Sequence, residues 1–484
     1  MIELLFYIKD RLSNKTMEKK QYIKDINGIE LELTGQPMIG GQGAVYRTNH
    51  SNILVKLLNQ DESEYEKFVD EVNDVRILDL PRDIKIAKPI ELLEKPYVGY
   101  YMQLLSGMEP IKNLFVPQKN IKKLLEEKAG ILKRITVLMN ISEVFAKLYE
   151  KNIMYGDISP DNIFISNEFE HNQAWLIDAD NMRENFESKR YIQTPMFAAP
   201  EVAKRESFNT TYSDVFSFAV LAHYVLTTIH PFEGKLKYSD EETDDWDDFS
   251  NETKDALDTS KFYDNLQKGE LPWIYDMSDS SNRPLNENGQ PIGIPIDMMI
   301  NQGVYDLFNK TFSKEGRKNP KSRPTMMEWF EGFKEARNQI ISCFHCNQSY
   351  YFRNGSEKER CFNCGQEREE LIKIRNTKGK ISILQIESED TLVNLPIRNT
   401  KIDYYFENID KEIIVKIDEN KNLIVENYTQ NKVTIILESN EYVLNNDDEK
   451  VLGKVEDILG NNLEIKIEIK DEIKGKEIFV LTKE

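Results

Sequence analysis

Two spacings of apolar residues divide this chain. Up to about residue 337 the spacing is largely helical: Phe68, Val72, Val75 and Leu78 recur three or four apart, and Ile135, Leu138, Met139, Phe145 and Leu148 fall on one helical face. Side chains at those intervals share one face of a helix, so each segment is expected to lay an apolar stripe on a core. A further helix is predicted around Trp329 and Phe333. Between the helices, short apolar runs such as Ile53-Leu54-Val55-Lys56-Leu57 and Trp175-Leu176-Ile177 read as strands. From Leu371 onward the period changes to two. Leu463-Glu464-Ile465-Lys466-Ile467-Glu468-Ile469-Lys470 alternates most clearly. Glu412 to Lys416, Leu423 to Val425 and Val433 to Leu437 are further expected strands, separated by turn residues about every ten positions. That pattern predicts an all-β domain, a sandwich or open barrel, over residues 371–484.

Polar residues set into this frame form an ordered series. Ile39-Gly40-Gly41-Gln42-Gly43-Ala44-Val45-Tyr46 places glycines between apolar β-type residues, where backbone N–H groups could approach an anion with no Cβ in the way. Lys56 lies inside an apolar strand, an unusual place for a lysine. Glu71 follows on the amphipathic helix. Met154-Tyr155-Gly156-Asp157-Ile158-Ser159-Pro160-Asp161-Asn162 then sets a carboxylate five residues before an amide, leading into the apolar Ile163-Phe164-Ile165. Trp175-Leu176-Ile177-Asp178 is a strand ending in a carboxylate. Thr194-Pro195-Met196-Phe197-Ala198-Ala199-Pro200-Glu201, Asp214-Val215-Phe216-Ser217-Phe218 and Asn319-Pro320-Lys321-Ser322-Arg323-Pro324 close the series.

In this order, from residue 30 to about 335, the series resembles the protein kinases. The resemblance implies an α+β, bilobal kinase fold over residues 30–337, with a small lobe over about 30–105 and a large lobe over about 106–337. The apolar run Phe216 to Ile229 would be its buried central helix. ATP would lie under the lid of Gly40, Gly41 and Gly43, beside Val45, with its base against the backbone of Met102 and Leu104. Lys56, braced by an ion pair with Glu71, would meet the phosphates. Asp157 would orient the attacking hydroxyl, and Asn162 and Asp178 would hold Mg²⁺. Arg323 is the expected ion-pair partner of Glu201. The wording around Asp157, followed by Leu176-Ile177-Asp178-Ala179-Asp180-Asn181, is similar to a bacterial branch of kinase-like proteins. That branch is often encoded beside a metal-dependent phosphatase and a von Willebrand factor A protein, in tellurite-resistance-like or phage-defence-like clusters. Products of neighbouring genes are therefore expected among the protein substrates.

Four positions depart from the common kinase pattern. Met38 replaces the first lid glycine. Tyr155-Gly156 replaces His-Arg, which removes an arginine that would bind a phosphate on the activation segment. Ser159 replaces a lysine near the transferred phosphoryl. Asp178-Ala179-Asp180 replaces Asp-Phe-Gly, and Asp180 is expected to help hold a second metal ion. Since Lys56, Glu71, Asp157, Asn162 and Asp178 are all present, an active ATP- and Mg²⁺-dependent Ser/Thr protein kinase is expected. A nucleotide-binding, pseudokinase-like scaffold is the alternative. The Thr194 to Glu201 segment, which shapes a peptide platform in protein kinases, disfavours a small-molecule kinase.

Cysteine usage adds a third piece. All four cysteines fall in Cys343-Phe344-His345-Cys346 and, after 14 residues, Cys361-Phe362-Asn363-Cys364-Gly365. Paired Cys-x-x-Cys knuckles point to a tetrahedral four-thiolate zinc site in a small ribbon over 338–370, structural because no position is left for water. His345 is expected to be exposed. The 484 residues carry a net charge of −20, which argues against general nucleic-acid or anionic-membrane binding. Residues 1–29 read as an extension without assigned function, and their apolar start lacks the basic residues of a signal peptide. The longest apolar stretch, Phe216 to Ile229, has 14 residues, too few to span a bilayer. A cytoplasmic location is expected. Asp240 to Asp248 is strongly acidic and reads either as a solvated loop or as a docking surface for a basic partner. The β-rich tail, with no histidine and with Arg375 and Arg398 as its arginines, reads as an interaction domain rather than a phosphothreonine reader.

Overall fold

The computed structural model describes residues 21–39, 43–81, 84–115, 130–166, 174–185, 191–192, 194–238, 260–353, 360–386, 392–395, 412–459, 464–471 and 475–484. The lid residues Gly40 and Gly41, the first 20 residues, the acidic stretch Asp240 to Asp248, Arg398 and Leu463 lie outside them. Two compact units emerge, the first from residues up to 78 with 86–107 and 177–180, the second from 79–85, 108–176 and 181–484.

The first unit is an antiparallel six-stranded sheet with one helix. Its strands are β1 (Gln21–Lys24), β2 (Glu30–Ile39), β3 (Gly43–Thr48), β4 (Ile53–Leu58), β5 (Glu91–Leu92) and β6 (Gly99–Gln103), in the order β1-β2-β3-β4-β6-β5. Strand β4 is thus interior, and its Leu54, Val55 and Lys56 are all buried. Gly43 is required by close approach, since a Cβ there would stand 2.0 Å from the Leu57 carbonyl oxygen. Helix α1 (Tyr65–Ile77) buries Tyr65, Phe68, Val72 and Val75, the face expected from the spacing. That face shares a core with Leu54, Tyr100 and Met102, and Phe68 stacks on Tyr100 at 6.4 Å. The sheet begins inside the expected extension. One buried residue, Ile23, anchors β1, too weak a pattern to read from four residues.

The second unit opens with β7 (Met108–Pro110), helix α2 (Ile131–Glu150), β8 (Ile153–Met154), β9 (Ile163–Ser166), β10 (Ala174–Leu176) and β11 (Arg183–Glu184). Strands β10, β9 and β7 make one small sheet, and β11 with β8 another; together they bracket residues 155–162. Helix α3 (Thr211–Thr227) is buried almost throughout, which explains an apolar composition on all faces. A reciprocal Thr210–Ser213 capping box starts it, and Thr228 in the left-handed region at φ 64° ends it. Helices α4 (Gln302–Phe312) and α5 (Met326–Arg337) follow. Phe308 and Phe218 meet Trp329 edge-on at 4.9 and 5.6 Å, so one aromatic cluster ties α3, α4 and α5. Among the described residues no helix is long and apolar enough to cross a membrane.

The remainder is β structure. Strands β12 (Ile340–Ser342) and β13 (Ser349–Tyr351) pair around the first cysteine knuckle. Then come β14 (Leu371–Asn376), β15 (Ile381–Gln385), β16 (Leu392–Leu395), β17 (Ile413–Ile417), β18 (Asn422–Asn427), β19 (Val433–Leu437), β20 (Asn440–Leu444), β21 (Asp448–Lys454), β22 (Ile465–Asp471) and β23 (Gly475–Lys483). They form two antiparallel sheets, β15-β14-β23-β22-β19-β20 and β16-β17-β18-β21. The alternation does its expected work: Ile465, Ile467 and Ile469 turn inward, while Lys466 and Lys470 stay out. Residues from both sheets, among them Ile374, Val415, Val425, Ile435 and Leu481, share one core. This region is seated on the rest of the unit. Lys334 of α5 pairs with Glu412 where both are nearly buried, and the Ile383 N–H donates to the Asn338 carbonyl at 2.7 Å.

Candidate active site and metal centre

In the first unit, position on an interior strand decides the fate of Lys56. Its side chain is 7% exposed, lies 5.8 Å from the centre of the Tyr100 ring, and needs an anionic partner to keep its charge. Two aspartates supply it: Asp178 Oδ1 at 2.5 Å and Asp180 Oδ2 at 2.8 Å. Burial alone would lower the lysine's pKa, but the two carboxylates outweigh it and raise the value. Burial, then the neighbouring Asp180, push Asp178 up to about 7 against the pull of Lys56. Asp178 adopts φ 62°, turning the chain from strand end into the turn Ala179–Asn181.

The expected Lys56–Glu71 pair is not formed here, because the aspartates occupy the ammonium and Glu71 meets Lys67 at 3.8 Å on its own helix. Val45 lies opposite Lys56 in the β3–β4 register. Met102 is buried opposite Leu54, and the Leu104 N–H donates to the Asn52 carbonyl at 2.8 Å, so that donor is engaged in this structure.

In the second unit, residues 155–162 are held from below and from the side. Gly156 needs its missing side chain: φ is 87°, and a Cβ would meet the Asn181 carbonyl at 3.2 Å. The N–H groups of Tyr155 and Gly156 donate to the Asp214 carboxylate at 2.7 and 3.1 Å. Burial pushes Asp214 up to about 7, although those two backbone donors pull the other way. Asn209 adds a clamp, donating to the carbonyls of Gly156 at 3.1 Å and Ile192 at 2.8 Å. On this base Asp157 is gripped through both oxygens: Thr194 Oγ1 donates to Oδ1 at 2.6 Å, and Asn162 Nδ2 donates to Oδ2 at 3.0 Å. Ser159 is buried, and its carbonyl accepts the Asn162 N–H at 3.2 Å, closing the loop. A carboxylate fixed this way has its orientation set before any substrate arrives.

Thr194, Asn209 and the clamp by Asp214 hold this loop by hydrogen bonds that the sequence does not announce, although Thr194 and Asp214 lie in the quoted motifs. The Glu201–Arg323 pair forms as expected. It is bidentate, with Nη1 to Oε1 at 2.8 Å and Nη2 to Oε2 at 2.7 Å.

The four cysteines converge. Their sulfurs all lie within 4.8 Å of one another, with Cys343–Cys364 at 3.5 Å and Cys346–Cys361 at 3.6 Å. Bonds of about 2.3 Å to one tetrahedral ion would set sulfurs roughly 3.8 Å apart, so the cluster fits zinc. Both knuckles have the same construction. Asn347 N–H reaches the Cys343 carbonyl at 2.7 Å, and Gly365 N–H the Cys361 carbonyl at 2.8 Å, with φ of 57° and 73° at those residues. Asn347 is therefore the counterpart of Gly365, legible because Asn tolerates the left-handed region better than most residues. Burial raises Cys343 to about 12 and raises Cys361 as well. At Cys346 burial is outweighed by hydrogen bonds to its sulfur, which bring it down to about 7. A cation beside the cluster would therefore favour thiolate most at the two buried cysteines, Cys343 and Cys361. His345 is exposed.

A buried lysine met by aspartates in one unit, and a clamped Asp157 with its amide in the other, are the parts of a phosphotransferase of the kinase class. Residues 39–332 match the family model of the protein kinase domain, and the chain belongs to that family. It is 25% identical over 198 residues to a serine/threonine-protein kinase candidate, R436, of Acanthamoeba polyphaga mimivirus, covering 39% of this chain and 67% of that one. It is 31% identical over 110 residues to the serine/threonine-protein kinase pkn2 of Myxococcus xanthus, covering 21% and 13%. With the mouse sperm motility kinase 2B the identity is 24% over 194 residues, covering 39% and 37%. The matches thus span well under half of the bacterial and mouse relatives.

Proposed function

We propose that the protein is an active serine/threonine protein kinase, transferring the γ-phosphoryl group of ATP to a hydroxyl of a protein partner. The observation that carries this reading is Asp157, held on both oxygens by Thr194 and Asn162. A substrate hydroxyl brought to Asp157 gives up its proton to that carboxylate while its oxygen forms the bond to the γ-phosphorus. The bond to the leaving ADP oxygen breaks in the same displacement. Lys56 neutralises phosphate charge once it leaves its aspartates. Asp178 and Asn162 are the residues that would hold Mg²⁺. The donors fit, because Asp178 and Asp180 place two nearly buried carboxylates against one ammonium, a surplus of negative charge that suits a divalent cation. Bound there, the ion would balance charge on the phosphates. Names of the viral and bacterial relatives support Ser/Thr as acceptors. Products of neighbouring genes are the first protein substrates to try. Four free thiols around one centre, rather than disulfides, suit a reducing cytoplasm.

The deciding experiment is transfer of labelled γ-phosphate to protein substrates, with phosphoamino-acid analysis, for the parent and Asp178→Ala. Label on Ser or Thr from the parent alone is expected. Tight nucleotide binding with no transfer by the parent would favour the scaffold reading instead.

The cysteine cluster is read as a structural zinc ribbon, and the tail as a β-sandwich interaction domain. Metal analysis should give about one zinc per chain. Cys343→Ser is expected to release it. Since Cys343 and Cys361 share a small core with Leu371 and Ile383, the loss should also raise amide exchange in β14 and β15, with the helices around Trp329 still protected. Zinc-free protein with an unaltered exchange pattern would sink the assignment.

A further inference from the structure

Where the second knuckle meets the kinase-fold part of the same unit lies a cleft of about 240 Å³, lined by Asp297, Met298, Tyr350, Tyr351, Arg353, Arg360 and Phe362. Nothing in phosphoryl transfer uses it. Its walls are Tyr350, Phe362 and Met298, a surface suited to an apolar side chain. Two guanidinium groups stand among them in a chain of net charge −20. Arg353 is exposed and has no ion-pair partner among the described residues, and Arg360 meets only the exposed Glu367 at 2.7 Å there.

Each feature narrows the occupant. Arginines recognise the planar or tetrahedral oxyanions of carboxylate and phosphate, with which they form paired hydrogen bonds. The aromatic and methionine walls call for carbon next to that anion. Asp297 repels a bare anion but accepts from N–H donors, which a peptide backbone supplies beside an acidic side chain. The volume is below that of a typical drug-sized site, and suits one or two side chains rather than a folded surface.

We propose that this cleft anchors a short acidic segment of a protein partner. One oxyanion-bearing side chain would lie on Arg353 and Arg360, an apolar neighbour would rest on Tyr350 and Phe362, and backbone N–H would face Asp297. The oxyanion is a carboxylate, because Asp297 in the same lining opposes the second charge of a phosphate.

The test is fluorescence anisotropy of the full chain with three labelled peptides of sequence Ala-Phe-X-Ala-Ala, X being glutamate, phosphoserine or glutamine. Binding of the glutamate peptide is expected, and tighter binding of the phosphoserine peptide would overturn the carboxylate assignment. Weakening by about tenfold is expected for the glutamine peptide and, with the charged ones, for Arg353→Ala. Arg353→Lys should recover part of the loss. Glu367→Gln, which frees Arg360, should tighten binding, an effect that general destabilisation cannot give. Higher salt should weaken it. Arg353 and Glu367 are exposed, so both variants should fold. No binding of either charged peptide, equal binding of the glutamine peptide, or indifference to Arg353→Ala would overturn the proposal.

Discussion

Replacing Asp157 by alanine is expected to lower kcat by about 10²–10⁴-fold, the range for loss of a positioned general base. The Kd for ATP should change little, because the carboxylate is assigned to the acceptor hydroxyl and not to the nucleotide. Two hydrogen bonds sharpen the expectation. Thr194 Oγ1 and Asn162 Nδ2 both donate to this carboxylate, at 2.6 and 3.0 Å. Alanine therefore also releases Asn162, whose oxygen is proposed to hold Mg²⁺. Asp157→Asn separates the two effects, since it keeps shape and one acceptor oxygen while losing basicity. Similar losses in both variants would locate the defect in proton transfer. A mild loss in asparagine with a severe loss in alanine would locate it in the positioning of Asn162. Single-turnover rates with saturating ATP, alongside melting curves to establish folding, make the measurement. An unchanged rate in both variants would move the proton acceptor elsewhere.

What the sequence disclosed, and what it hid, follow the range of the forces involved. Helix α1 and strand β22 were legible because burial of one face imposes a period on neighbouring residues. The cysteine knuckles were legible because one ion fixes both the ligand type and the spacing. Lys56 is recognisable as special for the same reason that its partner in this structure is not. A buried ammonium demands a carboxylate, but the demand does not say which. Glu71 is the partner that the sequence suggests, with Asp178 and Asp180 read as metal ligands, and only the placement of residues 177–180 against β4 brings the aspartates to the lysine. The Lys334–Glu412 pair has the same character, joining residues 78 apart through tertiary structure alone. Strand β1 escaped notice because a single inward residue, Ile23, carries no period. Asn209 escaped because an amide that satisfies three backbone groups looks, in sequence, like any loop asparagine.

Removal of either member of the Glu201–Arg323 pair is expected to cost about 3–5 kcal/mol of stability, the usual penalty for a buried charge left without its partner. The two truncations should not be equal. Arg323 is fully buried in its side chain and does more than meet Glu201: Nη1 also donates to the Tyr212 carbonyl at 3.0 Å, and Nε to the Gly316 carbonyl at 2.8 Å. Its guanidinium lies 4.9 Å from the centre of the Phe216 ring. Arg323→Ala therefore strands a carboxylate and two carbonyls and empties the space beside α3. Glu201→Ala strands only the guanidinium, which keeps both carbonyls and the ring. The arginine variant should be the less stable of the two. Glu201→Ala combined with Arg323→Ala should cost clearly less than the sum, since the second change removes the charge that the first left behind. Chemical unfolding of the full chain, followed by tryptophan fluorescence because Trp329 lies in the aromatic core, gives all three values. The kcat of Glu201→Ala, measured well below its melting point, should stay near that of the parent, because the pair braces the fold and touches no reacting atom. Additive costs would show that the two side chains stabilise the fold independently, and a large fall in kcat with stability intact would place Glu201 in the chemistry instead.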